Sequence, residues 1–92
     1  MPATSAETIL TVGAKSNPNS VAGAITNQIK EFGRSYVRAI GSDAVNQANK
    51  AIAISRGQLA STHVDVIMIP GFVEVLISGE TKTALQYIVE PR

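Results

Sequence analysis

The stretch Gly13-Ala14-Lys15-Ser16-Asn17-Pro18-Asn19-Ser20-Val21-Ala22-Gly23-Ala24-Ile25 decides how the chain is read. An alternating apolar run, Ile9, Leu10 and Val12, stops at Gly13, and a different period begins after Asn17. Pro18 suits the first helical turn, where its missing N–H has no intrahelical partner to lose, and Asn17 before it carries an N-cap side chain. Val21, Ile25, Ile29 and Phe32 then recur at helical spacing as one apolar stripe. Gly33 stands where a glycine commonly ends a helix. The reading is a strand, a polar loop with one cation, and a helix over 18–32. Lys15, Ser16, Asn17, Asn19 and Ser20 gather at a helix N-terminus, whose N–H groups and macrodipole favour an anion. Gly23 inside the helix costs about 1 kcal/mol relative to alanine, and close helix–sheet packing is the expected reason for it.

The unit then repeats. Ser35–Ile40 is a second strand, and Gly41-Ser42-Asp43 supplies a glycine turn, a capping hydroxyl and an acid for the first turn of a second helix. That helix runs from about Asp43 to Arg56 and towards Leu59. Val45, Ala48, Ile52 and Leu59 form its main stripe, with Ala44 and Ala51 beside it. Ala51-Ile52-Ala53-Ile54 is apolar almost all round, which implies cover on more than one side. Val64–Ile69, rich in β-branched residues, reads as a strand buried on both faces. Pro70-Gly71 introduces a bulge or bend, or divides two collinear pieces, before Phe72–Ile77. Ser78-Gly79-Glu80-Thr81 is a hairpin turn, and a last strand, Lys82–Val89, stops before Pro91.

The order β-α-β-α-β-β predicts a two-layer α/β (α+β) sandwich with two helices on one face of a four-stranded mixed sheet. The first β-α-β unit is a right-handed crossover. Two consecutive parallel β-α units put both helix N-termini at one sheet edge, so the Lys15–Asn19 and Gly41–Asn46 loops are expected side by side. Open α/β sheets generally bind ligands at such an edge. The other sheet face has no helix, yet Val64, Val66 and Met68 alternate with Ile67 and Ile69, and Leu85, Tyr87 and Val89 with Ala84 and Ile88. Apolar area on both sides points to a partner subunit, a homodimer or higher.

Composition narrows the function. At 92 residues the chain holds one domain, 7–92, behind a flexible lead-in, Met1–Ala6, that lacks a signal peptide's basic and apolar parts. A 45% apolar and 16% charged composition is that of a folded domain. No cysteine is present, which removes disulfides, thiolate catalysis and zinc-ribbon sites and fits a cytoplasmic location. The formal charge is +1, low for a protein that coats DNA. No apolar run approaches a membrane span. The single histidine, His63, and Asp65 lie at a strand entrance with no nucleophile elbow, so His63 reads as a loop residue. Glycine spacing matches neither the dinucleotide fingerprint nor the phosphate loop, and no metal-ligand cluster stands out. Neither an enzyme, a cofactor nor a metal site is expected.

Several stretches give the chain a resemblance to a known family. They are Val12-Gly13-Ala14-Lys15-Ser16 with Pro18-Asn19-Ser20-Val21-Ala22-Gly23-Ala24, and Ala39-Ile40-Gly41 with Ala44-Val45-Asn46-Gln47-Ala48. Lys50-Ala51-Ile52-Ala53-Ile54 with Arg56-Gly57, the Ile69-Pro70 step and Ile88-Val89-Glu90-Pro91-Arg92 complete them. From about Thr8 onward the chain resembles the stage V sporulation protein S family. The resemblance implies a small bacterial cytoplasmic protein of sporulation or developmental regulation. It also implies a fold similar to Alba, the archaeal chromatin protein. In Alba-like proteins a lysine in the loop before the first helix contacts nucleic acid and the last hairpin reaches along it. Lys15 occupies the matching loop, whereas Ser78-Gly79-Glu80-Thr81-Lys82 is mixed in sign and departs from a basic arm.

The leading reading is therefore DNA or RNA binding at the helix-start edge, with Lys15, Ser16, Asn17, Asn19, Ser42, Asn46, Lys50 and Arg56 as candidate contacts. Lys15 would neutralise phosphate, although Asp43 would repel it. Caps and turns account for Asn17 and Asn19 equally well. Arg38 alternates with Tyr36 and Ile40, so it is expected on the uncovered face or in the subunit contact made there. The alternatives are a protein-interaction module acting through that face, and a small-anion sensor at the helix-start edge. Convergence of Lys15, Lys50 and Arg56 would favour nucleic acid; dispersal would favour the interaction module.

Overall fold

The computed structural model describes residues 8–92; the expected lead-in Met1–Ala6 and Glu7, the expected start of the domain, lie outside the described residues. The elements are β1 (Ile9–Val12), α1 (Pro18–Phe32), β2 (Ser35–Ala39), α2 (Ser42–Ala60), β3 (Val66–Ile77) and β4 (Glu80–Pro91). The sheet order is β1-β2-β4-β3, with β1 and β2 parallel and the other two pairings antiparallel. This is the predicted α+β sandwich of two helices on a four-stranded mixed sheet.

Paired residues on neighbouring strands share a face. Val12, Val37, Ala39, Tyr87, Val89 and Val66 face the helices and are buried with Ala22, Ile25 and Ile29 of α1 and Ala44, Ala48, Ala51, Ile52 and Leu59 of α2. Alanines on α2 let it lie close to its neighbours, and burial pushes the Tyr87 phenol up. The helices also share a polar link: the Thr26 and Ser55 hydroxyls are 2.8 Å apart, and Thr26 Oγ1 donates to Gln58 Oε1 at 2.7 Å. Ser55 is wholly buried, so this bond answers a group that would otherwise be costly to desolvate.

The buried stripe of α1 is Ala22, Ile25, Thr26 and Ile29, rotated from the expected one; Val21 and Phe32 are half-buried at its margin. Gly23 falls off this stripe. A Cβ there would meet nothing within 4 Å, so the expected close packing against the sheet is absent. On α2, Ile54 is half-buried but Ala53 is exposed, so cover of the apolar segment is incomplete.

The largest correction concerns β3. The run Val64–Ile69 is not buried on both faces: β3 is an edge strand, and the two helices cover β1, β2 and β4 before they reach it. Met68, Ile69, Phe72, Leu76 and Ile77 are exposed. Pro70 causes neither a bulge nor a break. The register from Val66↔Pro91 to Ile77↔Glu80 runs through it without a slip, which an edge strand permits because its outward N–H groups have no ladder partner. The hairpin turn is shorter than expected. Ser78 and Gly79 have φ of 51° and 81°, the two positive values of a type I′ turn, and Glu80 and Thr81 already belong to β4.

α2 ends at Ala60, beyond Gly57, and leaves through a Schellman turn. His63 N–H donates to Ala60 O at 3.0 Å and Val64 N–H to Leu59 O at 3.2 Å, with His63 at φ 64° in the left-handed position that motif requires.

Candidate nucleic-acid interface

The loop after β1 closes on itself. Gly13 N–H donates to Ser16 Oγ at 2.8 Å, and Ser16 N–H donates back to Gly13 O at 3.1 Å. Asn17 is the N-cap of α1; its Oδ1 accepts from Asn19 N–H at 2.8 Å and Ser20 N–H at 3.3 Å. Pro18 has no N–H, and Val21 N–H donates to Asn17 O. Every donor in the first turn of α1 is thereby absent or answered from within the chain. The Ser16 and Asn17 side chains are occupied in this way, and the first helix start offers no free N–H to an anion.

α2 starts differently. Its N-cap is Gly41, at φ 91° and ψ 156°, and no side chain caps it. Ser42 is already the first helical residue, so the expected capping hydroxyl is displaced by one position and does not cap. The first-turn N–H groups of Ser42, Asp43 and Ala44 are those a helix leaves without intrahelical partners, and Asp43 is the only acid among them.

Gln47 fastens the two starts together, its Nε2 donating to Ser16 O at 2.9 Å. The loop carrying Lys15 lies against the first turns of α2, as the topology predicts. Lys15, Asn19, Ser42 and Asn46 are all exposed around this junction. Sequence reasoning passed over Gln47; its signal is a polar residue bordering the apolar stripe of Ala44, Ala48 and Ala51.

The remaining candidate cations do not gather there. Lys50 is exposed two turns up α2, and Arg56 lies about 21 Å along the axis from Ser42 at the helical rise per residue. Arg56 Nε donates to Asp65 Oδ1 at 2.8 Å, and Arg92 Nε pairs with Asp65 Oδ2 at 2.9 Å. The hydrogen bond from Arg56 holds the Asp65 carboxyl below its usual range, against the opposing effect of desolvation. At the hairpin, Lys82 Nζ stands 3.6 Å from Glu80 Oε1, so the cation at the tip is opposed by an acid. Arg38 lies on the helix-free face and donates to Gln86.

Among the described residues there is no cluster of side chains that could hold a metal ion, and no helix is long and apolar enough to cross a membrane. Compared with known protein families, residues 8–92 match the family described as Stage V sporulation protein S (SpoVS).

Proposed function

The chain belongs to the stage V sporulation protein S family, and from that premise we propose that this small sporulation-related protein is a non-enzymatic, cytoplasmic regulator that binds the phosphate backbone of DNA or RNA. The observation that carries the reading is the uncapped start of α2 held beside Lys15 by the Gln47–Ser16 bond. A phosphate at the N–H groups of Ser42, Asp43 and Ala44 meets the positive end of the helix dipole, with Lys15 supplying the compensating charge. Asn19, Ser42 and Asn46 line the approach, and Lys50 extends it. Ser16 and Asn17 serve it by shaping the loop. Arg56 is too distant and is engaged by Asp65. With one cation at the centre and Asp43 alongside, binding is modest and sensitive to salt.

The test is binding of labelled duplex DNA and single-stranded RNA across a salt series, for wild type and Lys15→Ala. Affinity should fall with salt, and the mutant should bind more weakly with a salt slope shallower by about one. Absence of binding at low salt by a folded protein would end this reading.

A second reading has its own support. The interaction is expected through the helix-free face, but Phe72 and Leu76, 79% and 74% exposed on β3, lie with exposed Met68 on the helix side of the sheet. Exposed apolar side chains of that size mark an association surface, here for a second copy in a homodimer or higher assembly. The dispersal of Lys15, Lys50 and Arg56 favours this role too. It becomes the main function if a folded oligomer binds no nucleic acid.

A further inference from the structure

The sheet face turned away from the helices is not uniformly apolar. Strand register sets Ile9, Tyr36, Ile88 and Ile69 in one row across the four strands, and Thr11, Arg38, Gln86 and Gly71 in the next. A third row pairs Ala84 with Val73. A polar strip thus crosses the middle of an apolar surface. At its centre, Arg38 Nε and Nη2 both donate to Gln86 Oε1, at 3.0 and 2.8 Å. The two bonds fix the guanidinium in one orientation and leave its other N–H groups to an incoming acceptor. Among the described residues no carboxylate stands within ion-pair distance of it. Tyr36, two residues back on the same face, is half-buried, as Arg38 is. Gly71 contributes no side chain, and the nearest atom to a Cβ built there is Gln86 O at 3.9 Å, so the polar strip stays open towards β3.

An occupant of this face has to answer an oriented cation set between apolar rows, while the face's other strand cation, Lys82, already stands 3.6 Å from Glu80. A second copy laid over its middle would bring a second Arg38 and bury both cations. The carboxylates of the face, Glu90 and Glu80, stand at its ends opposite Ile67 and Ile77. Burial of unpaired charge is strongly unfavourable. A single-stranded nucleic acid supplies the missing groups: a phosphate for the free guanidinium N–H groups, and flat bases for the tyrosine ring and the isoleucine row beside it. We propose that the helix-free sheet face binds single-stranded RNA or DNA, with Tyr36 stacking on a base and Arg38, oriented by Gln86, bonding an adjacent phosphate. This surface is separate from the helix-start edge and uses none of its residues.

The chain reports on the proposal by itself. It has two tyrosines and no tryptophan, and Tyr87 is buried beneath the helices, so quenching of tyrosine emission by an added strand reports Tyr36. Short oligothymidylate should quench the emission, and added salt should restore it. Tyr36→Ala should weaken binding of an end-labelled oligothymidylate by roughly five- to 160-fold, the range that follows from loss of one aromatic stacking partner. Tyr36→Phe should keep most of the affinity, and Arg38→Gln should weaken binding with a salt slope shallower by about one. Lys15→Ala should weaken duplex binding and leave oligothymidylate bound. Wild-type affinity in both Tyr36→Ala and Arg38→Gln would overturn the proposal, as would absence of quenching in folded protein. A sedimenting dimer that dissociates on Tyr36→Ala would assign the face to a second copy instead. Loss of quenching in Lys15→Ala would place both effects at the helix-start edge and leave only the first reading standing.

Discussion

The two helices begin one hydrogen bond apart, joined through Gln47 and Ser16, and their starts are built in opposite ways. At α1 the chain answers its own first turn: Asn17 caps two N–H groups, Pro18 removes a third, and Ser16 ties the loop to Gly13. At α2 the cap position is a glycine with no side chain, and the first-turn donors are left to solvent or ligand. Both starts have similar ingredients: a glycine, a hydroxyl and a small polar residue. The difference is one of register. Ser42 sits one residue too late to cap, inside the helix, where its hydroxyl cannot reach the N–H groups ahead of it. A closed start contributes stability, whereas an open one leaves a positively polarised surface.

Four substitutions test that contrast. The severest is Gly41→Ala. A φ of 91° with ψ of 156° is territory open essentially to glycine alone, so the alanine variant should lose about 1–3 kcal/mol in thermal or denaturant unfolding. Wild-type stability would mean that the open start can be rebuilt around a side chain. Next, Asn17→Ala should cost about 1 kcal/mol as a lost N-cap, while Ser42→Ala should stay within about 0.5 kcal/mol, as for an exposed surface site. Equal losses from the two would erase the distinction. The mildest change, Asp43→Asn, should move two readouts in opposite directions. Helix stability should fall by about 0.3–1 kcal/mol as a favourable dipole contact goes, while affinity for duplex DNA at low salt should rise by roughly two- to fivefold as a like charge beside the phosphate is removed. Unchanged affinity would move the phosphate away from α2.

Much of this was legible in the sequence because the governing physics is local. Asn17-Pro18, Gly33 and the switch of apolar period identify α1 within a few residues of its ends, and the repeated β-α unit is enough to bring the Lys15 loop beside α2. What escaped depends on partners distant in the chain. The β-branched content of Val64–Ile69 says that it is a strand, but not that β3 lies at the edge. That depends on β4 taking the place beside β2, through pairs such as Ser35↔Val89. The Thr26–Ser55 link and the Arg38–Gln86 bonds join residues whose polar character reads as surface until the pairing is known. Gly23 misled in another way: a glycine within a helix invites a packing explanation, and none is present. At the candidate interface, sequence grouped Arg56 with Lys15 by charge, but helical rise and Asp65 separate them.

The strand order has a consequence for how the molecule comes into being. β4 follows β3 directly, yet it is wedged between β3 and β2, with Ala84, Tyr87 and Val89 buried. Its partners in β2 precede it by roughly fifty residues, so this pairing closes a long loop. Long loops of that kind slow folding. During synthesis, β1, α1, β2 and α2 emerge early but have no central strand on which to complete a sheet. The hairpin of β3 and β4 can form locally, and its insertion beside β2 joins the two halves in one late step. Until then the apolar residues of both halves are exposed together, which makes that step the point in the molecule's life most open to misassembly.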